Sequence, residues 1–211
     1  MATRDRRSAS AIATNARAGP VQRPHSTNRS VAFQAESPYH PRMPRVEPAP
    51  FNPGGNAVSN SLLARVMGRR PDVLKAFARL DTTLRFKGLL PLELKEAVRR
   101  ATAGGVGCEY CKSLGDPEDH RGDTRTSLAV GFAQLVVADP TGISDSTFDV
   151  LREEFSEDEI VELVAWICLV SIAGQMFGAV LGLEAASPDE AAEYQQALQD
   201  IEAQVKRKAA T

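Results

Sequence analysis

The stretch Pro91–Cys111, PLELKEAVRRATAGGVGCEYC, decides how the rest of the chain is read. Pro91 suits the opening of a helix, because its fixed φ matches the first turn and no intrahelical N–H is lost there. Leu94, Ala97, Val98 and Ala101 then recur at three- and four-residue steps, which predicts a helix with Glu93, Lys95, Arg99 and Arg100 turned to solvent. The cluster Gly104-Gly105-Val106-Gly107 stops it. Cys108 and Cys111 follow at once and open a second, short helix that Gly115-Asp116-Pro117 cuts off, with a polar loop running on to Asp123.

Working outward, the same periodicity continues on both sides. Leu62, Leu63, Val66 and Met67 mark one helix, and Pro71 opens another with Val73, Leu74, Phe77, Leu80 and Leu84 on its inner face. Downstream, Leu128, Phe132, Leu135 and Val136 mark a helix ending before Asp139-Pro140, and Phe148, Leu151 and Phe155 mark the next. Ser156-Glu-Asp-Glu159 is a capping box just ahead of a long apolar run. Ser187-Pro188-Asp189-Glu190 caps a last helix, whose stripe Tyr194, Leu198, Ile201 and Val205 suits either docking on its own domain or an oligomer contact. No strand pattern of similar strength and no internal repeat interrupts this, so the expected fold class is all-α.

The apolar run from Val164 to Leu183 carries no charge and is long enough to cross a bilayer. Ser171, Gln175 and three glycines dilute it, Glu162 stands near its start, and no basic cluster flanks it. It is expected to be a central core helix covered by neighbours or by a second subunit, with no membrane contact. Cys168 within it is expected to be a small core hydrophobe.

Charge divides the chain. Residues 1–57 hold eight Arg, no Lys and three acids, a net +5, whereas the remainder carries −7. The basic segment is rich in Pro, Ser and Asn and has no sustained apolar period, so it is expected to be a disordered tail. A solvated tail, an organellar presequence and a basic docking arm all fit that composition, and no secretory apolar segment stands near Met1. The expected organisation is this tail over 1–57, a helical domain over 58–186 and an amphipathic helix over 187–211. A formal net charge of −2 for the 211 residues points to no nucleic-acid partner.

Three cysteines are too few and too unevenly placed for a disulfide scaffold, and the pattern fits a reducing cytoplasm. The C-x-x-C pair brings two thiols within one helical turn, close enough to form a disulfide. Its place at a helix start favours a thiolate, the form that attacks a disulfide or a peroxide, and the neighbouring thiol then resolves the product. The glycines before Cys108 are expected to leave that sulfur accessible. Glu96, on the preceding helix, reads either as a surface ion-pair partner of Arg99 and Arg100 or as a carboxylate that relays a thiol proton. Cys108, Cys111 and His120 supply three metal donors with Asp116, Asp119 and Asp123 nearby but no clear fourth, so no metal is expected.

Three segments together carry a family likeness. Arg70-Pro-Asp-Val-Leu-Lys-Ala-Phe77, Leu90-Pro-Leu-Glu-Leu-Lys-Glu96 and Gly107-Cys-Glu-Tyr-Cys111 resemble the carboxymuconolactone decarboxylase / alkylhydroperoxidase D-like (AhpD-like) family, and Phe155-Ser-Glu-Asp-Glu-Ile-Val-Glu-Leu-Val164 resembles its second helical half. The likeness spans Ser59 to Leu183, and its key spacing is a glutamate, eleven residues, then C-x-x-C, matched by Glu96, Cys108 and Cys111. The resemblance implies an AhpD-like helical bundle that assembles as homo-trimers or hexamers. It implies a peroxidase or disulfide oxidoreductase in which Cys111 attacks a hydroperoxide or disulfide substrate and Cys108 resolves the product. Glu96 would belong to a proton relay, a dithiol reductant such as a lipoyl group would re-reduce the pair, and no further cofactor is called for. The peroxidase branch carries His four residues after the second cysteine, where this chain has Gly115. His120 is the candidate substitute base. A weakly active or inactive oligomeric scaffold is the alternative, and the decarboxylase branch, which lacks the cysteine pair, is the more distant one.

Overall fold

The computed structural model describes residues 44–209, which are helical with no strand among them. The helices are α1 (Leu62–Met67), α2 (Pro71–Phe86), α3 (Leu92–Val106), α4 (Glu109–Ser113), α5 (Thr124–Ala138), α6 (Asp145–Arg152), α7 (Glu157–Ala165), α8 (Ala173–Leu181) and α9 (Pro188–Ala209). A π-helical segment, Trp166–Ile172, joins α7 to α8 without a break, so Glu157–Leu181 is one continuous rod. The all-α expectation holds.

Two apolar clusters organise the packing. The first sets Leu94 and Val98 of α3 against Ala129, Phe132 and Ala133 of α5, Leu151 of α6, and Ile160, Leu163, Trp166, Ile167 and Val170 of the central rod. The second surrounds the cysteine pair with Val66, Ala103, Tyr110, Leu114, Leu183, Tyr194 and Leu198. Tyr194 and Leu198 belong to α9, so the C-terminal helix docks on its own domain. Gln195 strengthens that docking by donating to the Leu114 carbonyl at 2.5 Å.

Helix ends follow the local chemistry. Ser156 and Glu159 form the expected capping box, with the Glu159 N–H donating to Ser156 Oγ at 3.3 Å and the Ser156 N–H to Glu159 Oε2 at 2.9 Å. Ser187 and Glu190 repeat the exchange at the start of α9. Helix α3 runs through Gly104 and Gly105 and stops only at Gly107, whose φ of 79° is the left-handed cap that a side chain would strain.

Four expectations are corrected. Lys95 and Arg99 are not on a solvent face: Lys95 is fully buried and Arg99 nearly so. Both are tolerated because they are paired, Lys95 with Glu162 at 2.8 Å and with the Leu84 carbonyl. The apolar face of α2 is only half-buried, with Val73 and Leu80 exposed, and its one buried residue is Arg85. Cys168 is exposed and not a core hydrophobe, because the central rod buries only one face. Finally, residues 44–57 are seated on the helices and not part of a free tail: the Arg45 N–H donates to the Leu181 carbonyl and the Ala49 N–H to the Arg65 carbonyl, both at 2.9 Å. The rest of the basic segment lies outside the described residues.

The rod Glu157–Leu181 is long and apolar enough to cross a bilayer. It packs into the core through Trp166, Ile167 and Val170, and Trp166 Nε1 donates to the Lys95 carbonyl at 2.9 Å. Its opposite face leaves Val161, Leu169, Met176 and Val180 exposed.

Candidate functional site

Cys108 and Cys111 are joined by a disulfide. Cys108 is the N-cap of α4, and its Sγ accepts the Cys111 N–H at 3.1 Å. The two sulfurs differ in surroundings. Cys108 is sealed, contrary to the expectation that the glycines would leave it accessible, while Cys111 is 5% exposed and lines a cavity of about 330 Å³. The seal comes from α8: a Cβ at Gly178 would sit 2.8 Å from Cys108 Sγ and 3.5 Å from Cys111 Sγ. Only glycine lets the helix backbone lie this close to the pair.

Beneath the pair lies a buried charge cluster. Glu96 is ion-paired to Arg85 through one carboxylate oxygen and to Arg99 Nε through the other at 2.8 Å. Arg99 in turn donates to the Cys111 carbonyl at 3.1 Å and to the Leu114 carbonyl at 3.4 Å. Arg85 also meets Asp81 at 2.9 Å and stacks over the Trp166 ring, 4.8 Å from its centroid. The expected surface pair between Glu96 and Arg99 is therefore real but buried. That changes its weight from a few tenths of a kcal/mol to a contact whose loss on one side costs about 3–5 kcal/mol.

Burial alone would push the Glu96 carboxyl up, but Arg99 and Arg85 outweigh it and hold Glu96 below the usual carboxylate range. Burial pushes the Tyr110 phenol up to about 12, and it likewise raises that of Tyr194. Both phenols therefore stay protonated. Tyr110 Oη accepts the Leu62 N–H at 3.2 Å, which ties the start of α1 to the C-x-x-C turn.

Of the residues singled out in the sequence, Glu96, Cys108 and Cys111 are brought together, with Arg99 as the link between the carboxylate and the C-x-x-C backbone. Both Glu96 oxygens face guanidinium groups, and neither hydrogen-bonds a sulfur. His120 stands apart. It lines a second cavity of about 160 Å³ that also touches Glu96, Arg100 and Glu118 but neither cysteine. Gly115 has a φ of 144°, and a Cβ there would meet Arg100 Nε at 2.8 Å, so a histidine at this position would need Arg100 to move.

The sequence reading missed Arg85, Tyr194, Gln175 and Gly178 as parts of this site. A signal existed for two of them, since Gln175 and Gly178 interrupt an otherwise apolar run. Arg85 and Tyr194 carry no local signal, because their partners lie on other helices.

No protein-family profile matches the chain, and no curated protein matches it. Among solved structures, one similar chain is an uncharacterized peroxidase-related protein from Silicibacter sp. TM1040. The two are 15% identical, the match covers 58% of this chain and 75% of that one, and the TM-score is 0.49. The helices and site described above rest on this chain's own contacts.

The depressed pKa of Glu96 fixes the sign of a pH effect. A group whose folded pKa lies below its unfolded value of about 4.3 stabilises the fold above that pH, and the contribution is lost as pH falls through the folded pKa. Glu96→Gln is expected to lower the melting temperature most near neutral pH, with the gap to wild type narrowing below about pH 4. Thermal melts between about pH 7 and about pH 3 check this, and a gap that widens with acid contradicts it.

Proposed function

We propose that this chain is a dithiol/disulfide oxidoreductase that reduces a hydroperoxide or a disulfide at Cys111, with Cys108 as the resolving thiol. One observation carries the reading: of the two cysteines paired within a helical turn, Cys111 lines the cavity of about 330 Å³ and Cys108 does not line it. The spacing of Glu96 to the C-x-x-C, which resembles the AhpD-like family, supports the same choice of residues.

The reaction closes on the chain's own atoms and two partners. With a hydroperoxide, the Cys111 thiolate attacks the outer oxygen. An S–O bond forms as the O–O bond breaks, and the departing alkoxide takes a proton and leaves as an alcohol. Cys108 then attacks the sulfenic sulfur, water departs after protonation, and the disulfide forms. With a disulfide substrate, Cys111 forms a mixed disulfide, and Cys108 displaces the second thiol. A dithiol of the lipoyl type restores both cysteines by two exchanges and is itself oxidised to a disulfide.

Glu96 enters as a positioning residue. It is held ionised between two guanidinium groups, so it orients Arg99 against the Cys111 and Leu114 carbonyls and keeps the C-x-x-C turn in place. His120 lines the other cavity, so the proposal assigns it no proton transfer at Cys111.

In a steady-state assay with an organic hydroperoxide and a dithiol, Cys111→Ser is expected to lower kcat/KM by at least about a hundredfold. Cys108→Ser is expected to give a single oxidation at Cys111 and then stall with the dithiol limiting. Equal slow turnover in wild type and Cys111→Ser contradicts the proposal and leaves a scaffold protein, the reading that the absent side chain at Gly115 favours.

The assembly we propose is a homo-oligomer built on the exposed face of the central rod. Leu169, Met176 and Val180 lie exposed there within a run that has no charged side chain from Val164 to Leu183. Light scattering is expected to give a multiple of the 22.7 kDa chain mass for wild type and the monomer for Leu169→Lys/Met176→Glu. A wild-type monomer, or binding of the wild type to neutral lipid vesicles that the double variant loses, contradicts it.

A further inference from the structure

The wall of the cavity beside Cys111 contains a buried acceptor with no donor among the described residues. Gln175, on α8, is 2% exposed and lines that cavity. Its Nε2 donates to the Arg99 carbonyl at 2.7 Å and to Ser171 Oγ at 3.2 Å. These contacts fix the amide's orientation, because turning it over would set Oε1 against the Arg99 carbonyl, acceptor against acceptor. Oε1 is thus the free end of the group, and it has no hydrogen-bond partner among the described residues. Buried amide oxygens are rarely left in that condition.

The rest of the wall says what kind of molecule would supply the donor. Leu63, Leu74, Phe77, Phe86 and Val170 make it largely apolar. The charges in it are already engaged: Arg85 by Asp81 and Glu96, and Arg99 by Glu96 and two carbonyls. Two guanidinium groups and two carboxylates cancel, so neither an anion nor a cation finds an unpaired counter-charge. Position along the helix adds the last constraint. Gln175 and Gly178 are three residues apart and share a face, and Gly178 is the residue against which the sulfurs lie. A head group held at Oε1 therefore sits within a helical turn of the cysteine pair.

We infer that Gln175 Oε1 is the recognition atom of a ligand site in this cavity. The ligand class is an uncharged molecule with an apolar body and a single terminal O–H donor, aligned with that donor toward the sulfurs. The inference rests on the redox reading only in what it implies for substrate: the O–H of a neutral organic hydroperoxide is such a donor, and that of its alcohol product is another. Binding itself requires no turnover.

The test uses the oxidised full-length chain and three probes that share an eight-carbon chain: octanol, octyl methyl ether and octanoate. Calorimetric titration is expected to show octanol binding about tenfold more tightly than the ether, the effect of one buried hydrogen bond. Octanoate is expected to bind more weakly than either. In Gln175→Met the preference for octanol over the ether is expected to vanish while the ether's affinity is kept. The wild-type series stands by itself if that variant fails to fold. Equal binding of octanol and ether means that water satisfies Oε1 and overturns the inference, as does octanoate binding best. Discrimination that survives in Cys111→Ser supports the site whatever the turnover assay returns, so a failed enzyme and a failed ligand site are told apart.

Discussion

A carboxylate held between two guanidinium groups underlies the rest of the structure. Glu96 on α3 meets Arg85 from the end of α2 and Arg99 from its own helix, all three nearly excluded from solvent. Arg99 carries the connection into the C-x-x-C turn, and Arg85 carries it to Trp166 at the centre of the core. Taking such charges out of water is expensive, and the cost is recovered only while every partner is present. The cluster therefore specifies geometry more than it adds stability: it admits one arrangement of α2, α3 and α4 and penalises others.

Around that cluster the two sulfurs become chemically unequal. Gly178 seals Cys108 against α8, while Cys111 is left at the wall of an apolar cavity. The rod that supplies Gly178 also supplies Ser171 and Gln175, and it does so across a π-helical segment. The i→i+5 pattern there changes the face that the following turns present, a device often found beside functional sites. Helix α9 closes the arrangement by burying Tyr194 and Leu198 beside the pair.

Much of the helical scaffold was legible from periodicity and end signals. The apolar spacing of Leu94 and Val98, the capping box at Ser156 and Glu159, and the glycine stop at Gly107 are local features with local consequences. The spacing of Glu96, Cys108 and Cys111 was legible too. What local pattern could not reveal was burial that depends on distant partners. Lys95 and Arg99 read as solvent residues because Glu162 and the Cys111 and Leu114 carbonyls, which neutralise or satisfy them, are brought in by folding. Cys108 read as accessible because the glycine that covers it arrives from α8. The cavity itself is assembled from α1, α2, α3, α4, the central rod and α9, so no window of sequence contains it.

The central claim is the asymmetry of the cysteine pair, and the most direct measurement is peptide-level mass spectrometry of the reduced protein after limiting alkylation. Cys168 is exposed and serves as the internal reference. The account predicts that Cys111 is modified well ahead of Cys108. Modification of Cys108 first, or equal rates at the two sulfurs, would contradict it.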